Sequence, residues 1–164
     1  MPNPYCGNSV YLSRHFQTAY VTRDLDRAVE DFQRQFGIRS FQFVRGNRID
    51  EHTRIDFALA WLGNVMVELI QPAGDGNSFY EVMLGADGLG TRLHHFGHLV
   101  PERTEWDRIR EQVARDGYTV PLQGSVEGFL SYLYVDTRPH TGHFLEYILC
   151  EPAGKAFFEG VPRS

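Results

Sequence analysis

Four polar residues that lie in otherwise apolar, strand-like segments repeat at a constant spacing. From Gln17 to His95 is 78 positions, and from Glu68 to Glu146 is also 78. The same shift superimposes the Glu-Leu-Ile segment that begins at Glu68 on the Glu-Tyr-Ile segment that begins at Glu146. One shared spacing can arise by chance, but one that aligns both polar pairs and their strand neighbours indicates two related modules.

The first module, residues 13–72, has a β-α-β-β-β pattern. An alternating segment at 16–22 predicts a strand, and Asp24 is placed to cap a helix that runs to about Phe36 and stops at Gly37. Strands are predicted near 39–45, 53–62 and 65–71, the last two joined by a tight Gly63-Asn64 hairpin.

The second module, residues 93–150, repeats this order. It begins with a strand at 93–100, followed by a helix that begins at Thr104 and is closed by Gly117. Its apolar helix positions are Trp106, Ile109 and Val113. Strands are predicted near 118–122, 128–135 and 143–149.

The 164 residues suit a single domain, 1–164, of the α+β class. A glycine-rich linker at 73–92 would cross between the modules and contain a short helix at 78–84. The tail, 151–164, is expected to form a short helix around Phe157 and Phe158.

The four repeated polar residues are candidate metal ligands. A strand glutamate flanked by apolar residues is costly to bury, by about several kcal/mol, unless it is paired or binds a cation. Glu68 and Glu146 occupy equivalent strands, and no lysine or arginine occupies the equivalent strand faces. Gln17 and His95 would add an amide oxygen and an imidazole nitrogen. This donor set favours a divalent ion such as Zn, Ni, Co, Mn or Fe, and without cysteine it suggests an open, catalytic site.

Alternatives remain at several of these positions. His15 is the substitute for Gln17, because it is placed on the same strand face and a strand glutamine is more often a hydrogen-bonding residue. Alternation places His94 on the opposite face, where core or helix packing is the simpler role, and it also places His98 and His143 away from the metal face.

Composition excludes several classes of function. A formal net charge of −5 argues against a nucleic-acid partner, and no apolar run approaches the roughly 20 residues that span a bilayer. No secretory leader is evident, so a cytoplasmic location is expected. Cys6 and Cys150 lack a C-x-x-C spacing and are expected to stay reduced. Lys155 is the sole lysine, which leaves little basis for Schiff-base chemistry.

The motifs resemble the vicinal oxygen chelate superfamily, which includes glyoxalase I and methylmalonyl-CoA epimerase. The segment 17–38 is similar to its opening strand and helix, and MVELIQP at 66–72 to its fourth strand. LHHFGHL at 93–99 looks like its His-His segment, in which the second histidine, here His95, is the ligand. TGHFLEYI at 141–148 resembles its closing Gly-x-x-x-Glu strand. The resemblance covers nearly the whole chain.

The resemblance implies paired β-α-β-β-β modules in a curved eight-stranded half-barrel sheet, a metal that chelates vicinal substrate oxygens, and a homodimer. The order Gln, Glu, His, Glu is similar to that of eukaryotic-type glyoxalase I. Two departures argue against glutathione as the substrate, because Val21 and Pro72 stand where that enzyme has an arginine and an asparagine.

The favoured function is an isomerase, epimerase or lyase acting on a small carbonyl compound or thioester. A glutamate would remove the proton next to a metal-polarised carbonyl, with Glu146 as the first choice of base and Glu68 as the second. A ring-cleaving dioxygenase and a metal-free binding protein of the same fold are the alternatives. Aromatic residues suggest an apolar pocket for an aromatic substrate, although core packing explains them equally: Phe16, Phe57, Trp61, Phe79, Phe96, Phe129 and Phe144.

Overall fold

The computed structural model describes residues 14–73, 78–85 and 90–164. Parts of the predicted linker, 74–77 and 86–89, and the predicted reduced thiol of Cys6 lie outside the described residues. Among the helices of the described residues, none combines the length and the apolar character that a membrane crossing requires.

Both modules contain the predicted order of elements. The first comprises β1 (His15–Thr22), α1 (Leu25–Phe36), β2 (Gln42–Arg48), β3 (Arg54–Leu62) and β4 (Val65–Ala73). The second comprises β5 (Thr91–Val100), α3 (Arg103–Arg115), β6 (Leu122–Val126), β7 (Leu130–Asp136) and β8 (Phe144–Cys150). Three short helices complete the fold: α2 (Ser78–Glu81), α4 (Arg138–Thr141) and α5 (Pro152–Glu159).

The helix α1 begins and ends where local chemistry dictates. The Asp24 carboxylate accepts a hydrogen bond from the Arg27 backbone N–H at 3.0 Å, which satisfies one of the free donors of the first turn. Gly37 adopts φ 71° and its N–H donates to the Gln33 carbonyl, a left-handed stop that glycine accepts without strain.

Several predicted boundaries were wrong, among them that of the linker helix predicted at 78–84, which ends at Glu81. The strand predicted at 118–122 begins only at Leu122, because Tyr118 and Val120 pack against the core beneath α3. The strand predicted at 39–45 begins at Gln42, since Ile38 and Phe41 pack beneath α1. The second-module helix begins at Arg103 rather than at Thr104.

The eight strands form one curved half-barrel sheet in the order β2-β3-β4-β1-β5-β8-β7-β6. β1 and β5 pair antiparallel at its centre, and each also pairs in parallel with the last strand of its own module. The registers of those two parallel pairs are equivalent: Gln17 lies opposite Met66 as His95 lies opposite Phe144. The two modules are therefore related by an approximate twofold axis between β1 and β5.

The two larger helices cover one face of the sheet. α1 packs on β3 and β4 through a cluster that includes Leu25, Val29 and Leu69. α3 packs on the second module through Trp106, Ile109 and Val113. The opposite, concave face carries the four candidate ligands between two further apolar clusters.

Candidate metal centre

Strand register brings the candidate ligands together at the centre of the sheet. Ala19 on β1 lies between Glu68 on β4 and His95 on β5. In the adjacent row, Gly97 on β5 lies between Gln17 on β1 and Glu146 on β8. Because the residue between each pair is alanine or glycine, the longer side chains on both sides have room to converge.

Three of these side chains meet at one point. The Nε2 atom of His95 lies 3.5 Å from Oε2 of Glu68 and 3.1 Å from Oε2 of Glu146. One ligand atom from each of the three residues lies within 4.8 Å of the others. The imidazole is fully buried, whereas the carboxylates retain 12% and 8% exposure. Both carboxylates therefore remain accessible while the imidazole is sealed in the protein.

The electrostatics of this group are unfavourable without a cation. Burial, followed by repulsion from Glu146, raises the pKa of Glu68 well above its usual range. Removing water from a carboxylate and placing it beside another penalises the ionised form. A bound divalent ion would reverse the sign of this interaction.

Gln17 is placed to be a fourth donor. It is buried, it lines the same cavity as Glu68 and Glu146, and its Oε1 accepts no hydrogen bond from the described residues. A buried carbonyl oxygen without a donor is costly, and a cation would satisfy it. The donor set of one amide oxygen, one imidazole and two carboxylates fits a divalent ion of the Zn, Ni, Co, Mn or Fe group.

Gly97 supplies the space for Gln17. A Cβ atom at position 97 would lie 2.6 Å from Oε1 of Gln17. We expect Gly97→Ala to weaken metal affinity at least about tenfold and to cost about 1–3 kcal/mol of stability by overpacking. The measurements are metal titration and thermal unfolding. Gly90→Ala is the matched control, since its Cβ would meet nothing within 4 Å; equal metal affinity in both variants would contradict the role of Gly97.

His94 lies on the site side of the sheet, which corrects the prediction that it points to the opposite face. The β1–β5 register shifts between Ala19 and Tyr20, so that His94 is the extra residue of a β-bulge beside His95. Its ring stacks on Tyr80 and packs against Phe144. The predicted core role is consistent with its complete burial.

The contacts of His94 fix which nitrogen of His95 faces the carboxylates. Nε2 of His94 donates to the Phe79 carbonyl at 3.2 Å, because a carbonyl only accepts. Burial, followed by the electrostatic influence of the neighbouring His95 ring, lowers the pKa of His94 well below its usual value, so its ring is neutral and its Nδ1 carries no proton. Nδ1 of His95 lies 2.9 Å away and therefore donates to it. In neutral His95 the Nε2 lone pair then points at the two carboxylates, an arrangement typical of metal-ligating histidines.

His15 does not reach this group. A register shift separates His15 from Gln17 along β1, and the His15 ring packs against Phe96 and lies 5.8 Å from the His98 ring. Nε2 of His15 also lies 2.9 Å from the Gln17 carbonyl. The prediction that His15 shares the face of Gln17 was wrong, because alternation does not reveal an irregular register.

Two tyrosines that were not among the predicted site residues, Tyr134 and Tyr80, extend the site. β7 pairs with β8 so that Tyr134 lies opposite Glu146, and its hydroxyl forms a hydrogen bond with that carboxylate. Burial, followed by the charge of Glu146, raises the pKa of Tyr134 well above its usual range, so the hydroxyl stays protonated and donates. Tyr80 also forms a hydrogen bond with Tyr134. Because the Tyr134 proton is donated to Glu146, the Tyr80 hydroxyl is the donor and the Tyr134 oxygen is the acceptor.

A cavity of about 380 Å³ opens onto the candidate ligands. Its walls come from both modules and from α5, and they are mostly apolar. The described residues that line it away from the metal group include Ile55, Phe57, Leu59, Phe129, Leu130, Ile148, Phe157 and Phe158. A volume of this size suits a small organic molecule.

Solved structures with the same fold include two methylmalonyl-CoA epimerases. A variant of the Streptomyces coelicolor enzyme, in complex with 2-nitronate-propionyl-CoA, has a TM-score of 0.62 at 14% identity, covering 87% of this chain and 97% of that one. The Mycobacterium tuberculosis enzyme has a TM-score of 0.62 at 13% identity, covering 88% and 95%. A hypothetical protein from Bacillus halodurans has a TM-score of 0.60 at 11% identity, covering 84% and 94%.

At these identities the structural likeness establishes the fold alone. No curated protein sequence matches the chain significantly. A family model does match, over residues 16–134, which is most of the chain. The chain therefore belongs to the Glyoxalase/Bleomycin resistance protein/Dioxygenase superfamily, the vicinal oxygen chelate superfamily.

Proposed function

We propose that this protein is a metal-dependent enzyme that removes the proton alpha to a substrate carbonyl, as an isomerase, epimerase or lyase. The observation that carries the proposal is the meeting of Glu68, His95 and Glu146 in a nearly buried group that opens onto a cavity. Gln17, Glu68, His95 and Glu146 would hold the ion. When bound, a divalent ion offsets the charge of the two carboxylates and polarises a carbonyl, which acidifies the adjacent C–H bond.

The protein residues supply the proton transfer. Glu146 is proposed as the base, because the Tyr134 hydroxyl orients one of its oxygens and a base must be positioned before its pKa matters. Its other oxygen accepts the proton, the C–H electron pair becomes a carbon–carbon double bond, and the carbonyl oxygen takes up the displaced pair. Return of the proton to the neighbouring carbon gives isomerisation, and return to the opposite face gives epimerisation.

A proton-exchange assay that does not require the natural substrate tests this proposal. 2-Hydroxyacetophenone presents two vicinal oxygens and exchangeable α-protons, so proton loss in D₂O is visible by NMR without knowledge of the natural reaction. Protein stripped by a chelator and reloaded separately with Zn, Ni, Co, Mn or Fe should catalyse exchange only when loaded. Elemental analysis of the purified protein identifies the bound metal. Full exchange by the stripped protein would refute metal dependence.

The ring-cleaving dioxygenase is the less favoured enzyme class. Its facial triad requires two histidines and one carboxylate, whereas the group here has one histidine and two carboxylates. His94 does not serve as a second ligand, since its nitrogens are committed to Phe79 and His95. Oxygen uptake with catechols by the iron-loaded protein would reverse this preference.

A thioester remains a candidate substrate. The ligand named for the Streptomyces coelicolor neighbour is a CoA derivative, and a thioester carbonyl has the acidic α-proton that the proposed reaction needs. The proposal of a metal-free binding protein would require that the purified protein contains no stoichiometric metal. The homodimer stays a prediction.

His94 is expected to act as a positioning residue for His95. His94→Leu removes the acceptor of the His95 Nδ1–H and should weaken Co²⁺ affinity about 10–100-fold, the usual cost of losing such a partner. His94→Gln retains both an acceptor and a donor and should restore most of that affinity. The measurement is competition with a chelator of known affinity. Unfolding temperatures of the stripped variants control for stability, and wild-type affinity in His94→Leu would contradict the role.

A further inference from the structure

Two short helices occupy equivalent places at the concave face. The shift of 78 positions that relates the modules also places Phe79-Tyr80-Glu81 of α2 on Phe157-Phe158-Glu159 of α5. Each helix follows the last strand of its module. On the face that carries Glu68, His95 and Glu146, an aromatic pair from α2 therefore lies in one apolar cluster and an aromatic pair from α5 lies in the other.

The two aromatic rings of α2 pack closely against the side chains of the site. Phe79 contacts the rings of His94, Tyr134 and Phe144 at centroid distances of 4.8–4.9 Å. Tyr80 is 2% exposed and stacks on His94. The Phe79 ring therefore helps to hold the histidines and Glu146 in place, while Tyr80 also forms part of the cavity wall.

Both rings of the α5 pair line the cavity. Phe157 and Phe158 are only partly buried, and both line the cavity that contains Glu68 and Glu146. Where α2 has the hydroxyl of Tyr80, α5 has the phenyl ring of Phe158, so this helix presents no hydroxyl at the equivalent position. Phe157 packs against Phe129, which also lines the cavity.

α5 is held firmly in this position. The Trp61 indole N–H donates to the Phe158 carbonyl at 3.0 Å, and the Glu151 N–H donates to the Phe129 carbonyl at 2.9 Å. Gly154 allows the helix to approach the Phe129 carbonyl so closely that a Cβ atom there would collide with it. A wall fixed at both ends is preorganised for a ligand.

The cavity offers little to a charged carrier. Among the described residues that line it, Arg48 is the one cation, and its guanidinium donates to the backbone carbonyls of Asp50 and Glu51. A phosphorylated carrier would need several free cationic or N–H donors. An uncharged aromatic group would instead bury its surface against phenyl rings.

We propose that Phe157 and Phe158 of α5 bind an uncharged aromatic body of the substrate, while its two vicinal oxygens face Glu68, His95 and Glu146. The inference rests on the proposed function for the oxygen end of the substrate alone; the aromatic wall exists independently of any ion. Phe79 is committed to packing and Tyr80 adds a hydroxyl to the cavity wall, whereas α5 presents two phenyl rings, so the substrate body extends from the candidate ligands toward α5.

Hydroxamates test the inference, because they present the same two oxygens on different bodies. Binding of acetohydroxamate and 2-naphthohydroxamate to the Co²⁺-loaded protein is measured by calorimetry, and each affinity is referred to that for free Co²⁺. The naphthyl compound should bind at least about tenfold more tightly, equivalent to about 1.4 kcal/mol. In the Phe157→Ala, Phe158→Ala double variant the ratio should fall to within about twofold, while acetohydroxamate affinity barely changes.

Further variants separate pocket contacts from folding. The Phe157→Leu, Phe158→Leu double variant keeps apolar packing and should give an intermediate ratio, and Phe36→Ala, on the exposed side of α1, should leave the ratio unchanged. Excess coenzyme A should not displace 2-naphthohydroxamate. An absence of preference in the wild type, an unchanged ratio in both double variants, or displacement by coenzyme A overturns the inference.

A metal-free arm separates this inference from the proposed function. Naphthalene-2-carboxamide binding to the stripped protein, measured by saturation-transfer NMR, should be lost in the double alanine variant. If the protein binds no Co²⁺, the proposed function fails and the amide alone decides the inference: binding that depends on α5 supports it, and binding unaffected by the α5 variants overturns it.

Discussion

Glu146→Gln is expected to lower the rate of α-proton exchange in the metal-loaded protein by about 10²–10⁴-fold, the usual contribution of a positioned general base. Glutamine keeps an oxygen that can face the ion but cannot accept the proton. Metal affinity should therefore fall much less than the exchange rate. NMR-detected exchange of 2-hydroxyacetophenone, together with metal titration of the same sample, checks both parts of the expectation.

Glu68→Gln serves as the comparison, since Glu68 reaches the same histidine nitrogen but, among the residues that the structure describes, has no hydroxyl partner equivalent to Tyr134. Its loss of exchange should be smaller and should follow its loss of metal. Glu127→Gln, at the exposed turn between β6 and β7, controls for general effects of charge. If Glu68→Gln at full metal occupancy loses more of the proton-exchange rate than Glu146→Gln does, Glu68 is the base and Glu146 is not. Full activity in Glu146→Gln would also rule out Glu146 as the base.

The resemblance to a known superfamily and the constant spacing of Gln17, Glu68, His95 and Glu146 were enough to predict the half-barrel fold. The fold prediction is confirmed by the family match and by the neighbouring structures. The constant spacing is informative for a physical reason. The two modules have equivalent strand registers and meet at one axis between β1 and β5, so residues at equivalent strand positions lie close together at that axis. The complete ligand set itself stays a prediction.

The sequence did not predict the side-chain orientations correctly where the strands are irregular. One extra residue in β5 turns His94 to the side of His95, and a register shift in β1 separates His15 from Gln17. Alternation assumes a regular strand, so neither shift leaves a signal in it. The contact between Tyr134 and Glu146 depends on the pairing of β7 with β8, which a single sequence does not specify.

The metal-free protein provides the second large effect, because Glu68 is destabilising there. Its folded-state pKa is raised above the ordinary 4.5, so the folded protein binds more protons than the unfolded chain as pH rises above that value. The contribution of Glu68 to stability is therefore fully present at acid pH and is lost as pH rises toward its folded pKa. A divalent ion should remove this loss by stabilising the carboxylate.

Glu68→Gln should consequently stabilise the stripped protein by about 1–3 kcal/mol, which raises its unfolding temperature by several degrees. The gain should be larger at pH 8 than at pH 5. Added Co²⁺ should stabilise the wild type by about 4 kcal/mol at a thousandfold excess over Kd, and the variant far less. Glu30→Gln on the exposed side of α1 should change neither value. Thermal unfolding with and without metal at both pH values measures all of these effects. A stripped Glu68→Gln protein less stable than the wild type at pH 8 would mean that Glu68 is already satisfied by the protein, and the carboxylate pair would then need no cation.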